Sequence, residues 1–301
     1  MSAILHIVPG LGERWSGIAV AARLLAQEQN AKVVDACEVD VGLVAGFDEV
    51  WVHSTWSWPV WMACFLTIRA RKRLVRMTHG NLDPVRLRFH GWKKRLAGPA
   101  ERYFLRRADR IVATCEAEKG WIEAYLGTRC PPIEVTDIKR FFNLTHVGKR
   151  VRPVFPHGNA NPDSSSILHP PSLHLLYLGR RHPLKGVDYL ETAVAELNSS
   201  TPPLKTPPLL KIVSNAFGEE KEKVWEWCDV LVLPTLSENF GLVVAEALER
   251  GKRVITTDGA PAWGGGNDYG GRLIYLRGYR DGSTDDRVCL LKEAITSLMD
   301  D

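Results

Sequence analysis

The sequence predicts an α/β protein with two parallel-sheet domains, and three observations carry that expectation. Apolar runs of strand length alternate with helix-length segments along most of the chain, the pattern of βα units feeding a parallel sheet. A Ser- and Pro-rich run from Asn159 to Pro171 divides the alternation into two series and reads as a linker. At 301 residues, each series has about the 150 residues of an ordinary domain. Residues 1–165 are expected to form the first domain and 166–301 the second.

The first series opens with a strand at Ala3–Val8, a loop through Gly10, Gly12 and Ser16-Gly17, and a helix at Ile18–Gln27. Strand, glycine loop and helix make a phosphate-binding start. The glycines lack the Gly-x-Gly-x-x-Gly spacing, which excludes a nicotinamide cofactor. Further strands are expected at Lys32–Ala36, Glu49–His53, Leu74–Thr78 and Arg110–Thr114. Helices fall at about Pro59–Arg71, Trp92–Arg107 and Glu116–Tyr125. Ligands of such sheets sit beyond the C-terminal strand ends, where His53-Ser54, His79-Gly80 and Thr114-Cys115-Glu116 fall. Pro131–His157 offers two short strands, Ile133–Asp137 and Val151–Phe155.

The second series starts with the apolar strand Leu173–Leu178, followed by Gly179-Arg180-Arg181-His182-Pro183-Leu184-Lys185-Gly186. Arg180 and Lys185 are a phosphate signal, since a guanidinium forks across phosphate oxygens and an ammonium supplies a compact charge. Arg181 competes with Arg180 for that role. A helix at Val187–Leu197, a strand at Leu209–Ser214 and a helix near Glu219–Cys228 lead to a strand at Asp229–Leu233. Beyond Pro234, the residues Phe240, Leu242, Val243, Ala247 and Leu248 are spaced as one buried helical face, and Gly251 ends the helix. Glu238 and Glu246 bracket its first turns, roughly 12 Å apart if the interval is fully helical. Between them the free N–H groups of a helix start, with Gly241 allowing close approach, form an anion site. A diphosphate flanked by two polyhydroxylated rings suits that spacing. A strand at Arg272–Leu276 and a helix at Arg287–Met299 close the chain.

The stretch Glu238-Asn239-Phe240-Gly241-Leu242 through Glu246 resembles the Glu-x7-Glu signature of retaining GT-B glycosyltransferases of family 4. The segment Met77-Thr78-His79-Gly80-Asn81-Leu82-Asp83-Pro84 is similar to that family's His-Gly-x-x-Asp-Pro stretch, and Trp92–Arg95 with Leu105–Asp109 continue the likeness. Gly179-Arg180 and Lys185-Gly186 match the family's diphosphate-holding pair. The resemblance implies two Rossmann-like domains facing across a cleft, with the first binding the acceptor and the second a nucleotide-diphosphate sugar. The last helix, 287–299, can cross back to the first domain. The resemblance further implies catalytic roles for His79, Arg180, Lys185 and Glu238. Donor contacts would come from Gly17, Asn239, Phe240, Gly241, Leu242 and Glu246, with Glu238 on the sugar hydroxyls and Glu246 on the ribose. The chain departs from the family at His157, where Asn is usual. It departs again at Asn215-Ala216-Phe217-Gly218, which stands in place of a Gly-Asp-Gly-Pro turn and leaves the donor base open.

Transfer with retention would use a front-face displacement, with positive charge stabilising the diphosphate leaving group. The chain has no Asp-x-Asp pair, and Glu38-Val39-Asp40 is a poor substitute, so metal independence is expected and no cofactor is required. Six scattered cysteines without a Cys-x-x-Cys pair argue for reduced thiols in the cytosol. No signal peptide and no spanning segment is recognisable. Between Arg69 and Arg110, fourteen Lys and Arg face three acids. Trp56, Trp58, Trp61 and Phe65 run into Arg69–Arg73, a combination that suits an anionic membrane surface and equally suits tryptophans buried in the core beside solvated arginines. A cytoplasmic place is expected, peripheral on the inner face of the membrane under the first of these readings, with a glycan or lipid-linked acceptor as in lipopolysaccharide, capsule or other surface polysaccharide assembly. Two alternatives stand beside this reading. One is a sugar-nucleotide epimerase or hydrolase on the same scaffold, and the other is a non-catalytic basic protein binding membrane or nucleic acid. Nucleic acid has little support, because no base-reading motif is present.

Overall fold

The computed structural model describes residues 2–12, 17–89, 91–144, 172–214 and 216–299. The chain divides into two compact units, Met1–Phe141 and Phe142–Asp301. The expected boundary at 165/166, the strand at 151–155 and His157 all lie outside the described residues.

The first unit runs β1 (Ile4–Val8), α1 (Gly17–Glu28), β2 (Lys32–Asp35), α2 (Val41–Ala45), β3 (Glu49–His53), α3 (Trp58–Arg69) and β4 (Arg73–Met77). It continues with α4 (Pro84–Arg88), α5 (Gly91–Arg106), β5 (Arg110–Ala113), α6 (Glu116–Leu126) and β6 (Ile133–Val135). Its six strands form one parallel sheet in the order β2-β1-β3-β4-β5-β6. Strands β1, β3 and β4 are buried on both faces, as parallel strands are, although His6, Glu49, His53 and Arg76 interrupt their apolar runs. Leu5, Ile7, Val50, Val52, Leu74 and Ile111 meet the apolar faces of α3, α5 and α6 in the core.

Sequence periodicity did not announce two short helices, because cap chemistry sets them. Asp40 caps α2 by accepting from Leu43 N–H at 2.7 Å, which makes it a helix cap. Asp83 caps α4 at Val85 N–H, with Pro84 at the first helical position. Two buried ions tie the helices to the sheet. Arg76 on β4 donates to Glu101 of α5 at 2.7 Å, to Cys64 Sγ and to the Ser54 carbonyl, with both ionic side chains fully buried. The Glu101 carboxylate also accepts from Trp56 N–H and Trp61 Nε1.

The second unit runs β7 (His174–Leu178), a 3-10 turn at Pro183–Lys185, α7 (Val187–Asn198), β8 (Leu209–Val213), α8 (Gly218–Trp227) and β9 (Val230–Leu233). It ends with α9 (Leu242–Glu249), β10 (Arg253–Thr257), β11 (Leu273–Leu276) and α10 (Thr284–Met299). Five parallel strands take the order β11-β10-β9-β7-β8. Helix α10 packs along α7 in its own unit. Helix α9 begins at Leu242, two residues later than the apolar spacing predicts. Phe240 is buried ahead of the helix, and the buried face is Val244, Ala245, Ala247 and Leu248, with Leu242 and Val243 half-buried.

Candidate functional site

Each unit gathers polar side chains at the C-terminal edge of its sheet. In the first unit, a row of three histidines climbs diagonally across neighbouring strands. His6 on β1 lies opposite Trp51 of β3, two residues before His53, and His53 lies opposite Met77 of β4, two residues before His79. A shift of two residues keeps side chains on one face of the sheet. The rings bond in series: His6 Nδ1 to His53 Nε2 at 2.9 Å, and His53 Nδ1 to His79 Nε2 at 2.8 Å. Gln29 Oε1 closes the inner end on His6 Nε2 at 2.8 Å. Burial pushes His6 down to about 4 and His79 to about 3, and holds His53 well below the usual histidine value, so all three rings are neutral at pH 7.

His79 sits in a left-handed backbone conformation at φ 52°, followed by Gly80 at 69°. The buried carboxylate of Glu118 on α6 holds this turn by accepting from Thr78 Oγ1 and Gly80 N–H. The same carboxylate accepts from Thr114 N–H and Oγ1, which ties together the loops after β4 and β5. Gly17 is the exposed first residue of α1. The loop before it is anchored where Leu11 N–H donates to Asp35 Oδ2 at 2.7 Å, and residues 13–16 lie outside the described set.

In the second unit, the loops after β7, β9 and β10 converge because glycines permit backbone contact. A Cβ at Gly186 would fall 2.0 Å from the Pro234 carbonyl oxygen, and one at Gly259 would fall 2.0 Å from that of Thr235. Leu236 N–H and Thr235 Oγ1 donate to the Leu184 carbonyl, and Glu238 N–H donates to the Gly259 carbonyl at 2.7 Å. This stitching brings Lys185 onto Glu238 as an ion pair, each side chain 18% exposed. Asn239 N–H folds back onto Glu238 Oε1, and Gly241, at φ 70° and ψ 63°, turns the chain into α9. Phe240 stacks between Phe142 and Trp263, whose indole donates to the Phe240 carbonyl. Glu246 pairs with Lys221 of α8 at 2.6 Å. Only the second half of the Glu238–Glu246 interval is helical, so the 12 Å expected for a full helix does not apply.

The two arginines after β7 differ in their partners. Arg181 is held on Asp188 and Glu191 of α7. The exposed Arg180 guanidinium has no such partner among the described residues, and its carbonyl accepts from Tyr177 Oη at 2.8 Å. Burial pushes the Tyr177 hydroxyl up, and the neighbouring Glu238 carboxylate adds to the shift, so Arg180, Tyr177 and Glu238 share one corner.

The aromatic stretch before Arg69 splits. Trp56 and Trp61 pack on the core, whereas Trp58 and Phe65 are exposed. Helix α5 adds exposed Trp92, Leu96 and Tyr103, and the exposed Arg73 pairs with the buried Glu49. Sequence reasoning missed His6, Glu118 and Lys221 as site residues. The available signal was a polar residue inside an apolar strand for His6, and none for the other two.

Residues 41–137 match the model of the glycosyl transferase 4-like domain. D-inositol 3-phosphate glycosyltransferase of Streptomyces scabiei is 28% identical over 185 residues, covering 52% of this chain and 40% of that protein. The corresponding Streptomyces bingchenggensis protein is 28% identical over 181 residues, covering 50% and 38%. The chain therefore spans about two fifths of the length of these curated relatives. Anabaena HepE, solved with UDP and glucose, superposes at a TM-score of 0.63 and 15% identity, covering 98% of this chain and 90% of that one. Sucrose-phosphate synthase of Thermosynechococcus elongatus gives 0.65 and 13%, covering 100% and 90%. Two parallel α/β sheets and these neighbours make the fold GT-B.

Proposed function

We propose that this chain, a GT-B protein of the glycosyltransferase family 4 type, moves a glycosyl group from a nucleoside-diphosphate sugar to a hydroxyl acceptor. The observation that carries the reading is the corner formed by Arg180, Lys185, Glu238 and the start of α9. The diphosphate would take Lys185 and Arg180 as cations and the N–H groups of Leu242 and Val243 as donors, since the first amides of a helix lack intrahelical acceptors. Lys185 is already neutralised by Glu238, so an entering phosphate exchanges one anion for another and frees Glu238 to accept from sugar hydroxyls. Glu246, on the next turn, would exchange Lys221 for the ribose hydroxyls.

Glycosyl transfer develops negative charge on the leaving diphosphate as the anomeric carbon becomes cation-like. Fixed cations directed at that charge supply the largest catalytic term. With Arg180, Lys185 and the helix start in this role, the reaction is metal-independent, and a chelator leaves its rate unchanged. Front-face displacement assisted by the leaving phosphate gives retention, with Glu238 orienting the donor. A glycan or lipid-linked acceptor fits the basic first unit, with assembly of surface polysaccharide or lipopolysaccharide at the cytoplasmic face of the membrane as its setting. Among the described residues no helix is long and apolar enough to cross a membrane, so contact would be peripheral, through Trp58, Phe65 and the cations of Arg69–Arg73.

A thermal-shift panel of UDP, GDP, ADP and CDP sugars tests the donor. A ligand at 100 times its dissociation constant adds about 2.7 kcal/mol of stability. One base should stand out, and Lys185→Ala should abolish its shift. No shift with any of the four would overturn the donor assignment.

A further inference from the structure

The histidine row takes its direction from the orientation of the Gln29 side-chain amide. Placed with Oε1 toward His6 at 2.8 Å, Gln29 is an acceptor, and His6 then carries its proton on Nε2. A neutral ring has one N–H, which leaves His6 Nδ1 as an acceptor for His53 Nε2–H. The same step repeats outward, and His53 Nδ1 accepts from His79 Nε2–H. His79 is 2% exposed, and its Nδ1 has no hydrogen bond among the described residues. The row starts at Gln29, beyond the C-terminal end of α1, and finishes at the C-terminal edge of β4, where ligands of such sheets sit. The surroundings favour uncharged rings. Trp51 stacks on His6 at 5.0 Å between ring centres, Arg76 faces His53, and the Glu49 carboxylate near His6 is engaged by Arg73, Arg110 and Trp51.

We propose that Gln29, His6 and His53 are positioning residues that hold His79 as a neutral imidazole protonated on Nε2, so that Nδ1 is a hydrogen-bond acceptor. The role rests on the glycosyl-transfer reading, for which the family resemblance implies a catalytic role for His79. The group it suits is a sugar hydroxyl that donates to Nδ1. His79 in this state accepts a proton at Nδ1 and has none free to give. Glu118, by clamping Gly80 and Thr78, fixes the ring's backbone while the histidines fix its protonation.

Long-range 15N–1H correlation NMR of the full chain labelled with 15N-histidine reads the tautomers directly. Wild type and Gln29→Glu, which keeps an acceptor at the inner end, should show His6, His53 and His79 neutral with the proton on Nε2 at pH 7. Gln29→Leu removes that acceptor far from any ligand and should move part of the population to Nδ1–H. In transfer assays Gln29→Leu should lower kcat about tenfold with KM changed less than about twofold, and Gln29→Glu should restore it. A proton on Nδ1 of His79 in wild type, a charged ring, or tautomers unmoved in Gln29→Leu would overturn the proposal. So would an unchanged kcat in Gln29→Leu once its tautomers have shifted. If wild type transfers no sugar from any donor, the glycosyl-transfer reading fails by itself, and the NMR pattern still decides the state of His79.

Discussion

In the first unit the polar groups at the sheet edge are buried and neutral or fully hydrogen-bonded, whereas in the second they are partly exposed and paired as ions. His6, His53 and Glu118 are fully enclosed, with every hydrogen bond satisfied inside the unit. Lys185 and Glu238 keep 18% of their side chains exposed, and Lys221 and Glu246 keep 27%. The difference fits the roles proposed above for the two edges. A neutral hydrogen-bonding ring is best fixed by desolvation, because burial removes its alternative protonation state. Charges that must receive an anion have to stay exchangeable. An ion pair that is not fully enclosed can exchange its anion for that of a ligand without stranding a buried charge.

Acid should break the first unit before it touches the second. The histidines have folded-state values lowered from the ordinary 6.5, to about 4 for His6 and about 3 for His79. Below pH 6.5 the unfolded chain takes up protons that the folded chain refuses, so this contribution is intact above about pH 7 and is lost as pH falls toward 4. Each histidine's slope rises from half of about 1.4 kcal/mol per pH unit at pH 6.5 to nearly all of it by pH 5, so these two remove roughly 3 kcal/mol over that range. Arg76 beside His53 adds to its resistance to protonation, while Glu49 and Gln29 oppose the shift at His6. Urea unfolding of wild type and His6→Asn from pH 7 to 5 measures this. A wild-type stability that stays flat over that range would contradict buried neutral rings.

Charge removal should in turn break the second unit's chemistry while sparing its fold. Lys185→Ala should lower kcat about a hundredfold, the loss typical of one fixed donor at a developing anion. Glu246→Ala should raise the donor KM about tenfold with a smaller effect on kcat. Arg181→Ala removes only exposed pairs with Asp188 and Glu191 and should stay within about twofold of wild type. Steady-state kinetics with the donor found by thermal shift separates the three. A Lys185→Ala enzyme with wild-type kcat would sink the diphosphate site, and a large Arg181 effect would reverse the assignment of Arg180.

The legible parts of this sequence are those governed by local rules. Apolar strands, helix periods and the glycines after β7 and β9 locate the elements, mostly within one or two residues at each end. Gly241 and Lys185 are readable because the backbone geometry and phosphate chemistry they serve are local. The partners of those residues are not. Lys221 meets Glu246 and Glu118 meets Gly80 only through tertiary packing, 25 and 38 residues apart in sequence. Tryptophans invite the opposite error. Trp56, Trp58 and Trp61 look like one exposed aromatic cluster, but Trp56 packs inward ahead of α3 and Trp61 packs on the core where Trp58 stays exposed, with Glu101 accepting from the Trp56 backbone N–H and the Trp61 indole.

The basic run of the first unit is the last contrast to sharpen, since its cations divide into internal and external sets. Arg76 is fully buried on Glu101, and Arg73 and Arg110 converge on Glu49, so reversing them would test the fold. Arg69, one turn beyond the exposed Phe65 on α3, and Arg71, just past the helix, are exposed. Each cation near an anionic bilayer contributes about 1 kcal/mol, so Arg69→Glu with Arg71→Glu should weaken vesicle binding at least roughly thirtyfold. Co-sedimentation with phosphatidylglycerol-containing vesicles, against neutral vesicles as control, reads the effect, and unfolding midpoints should match wild type. Salt should weaken the wild-type interaction in the same direction, because exposed charges are screened within about 10 Å at 0.1 M. Equal binding of variant and wild type would mean that these arginines only solvate the surface. The exposed Trp92, Leu96 and Tyr103 of α5 would then be the residues to substitute in the same assay.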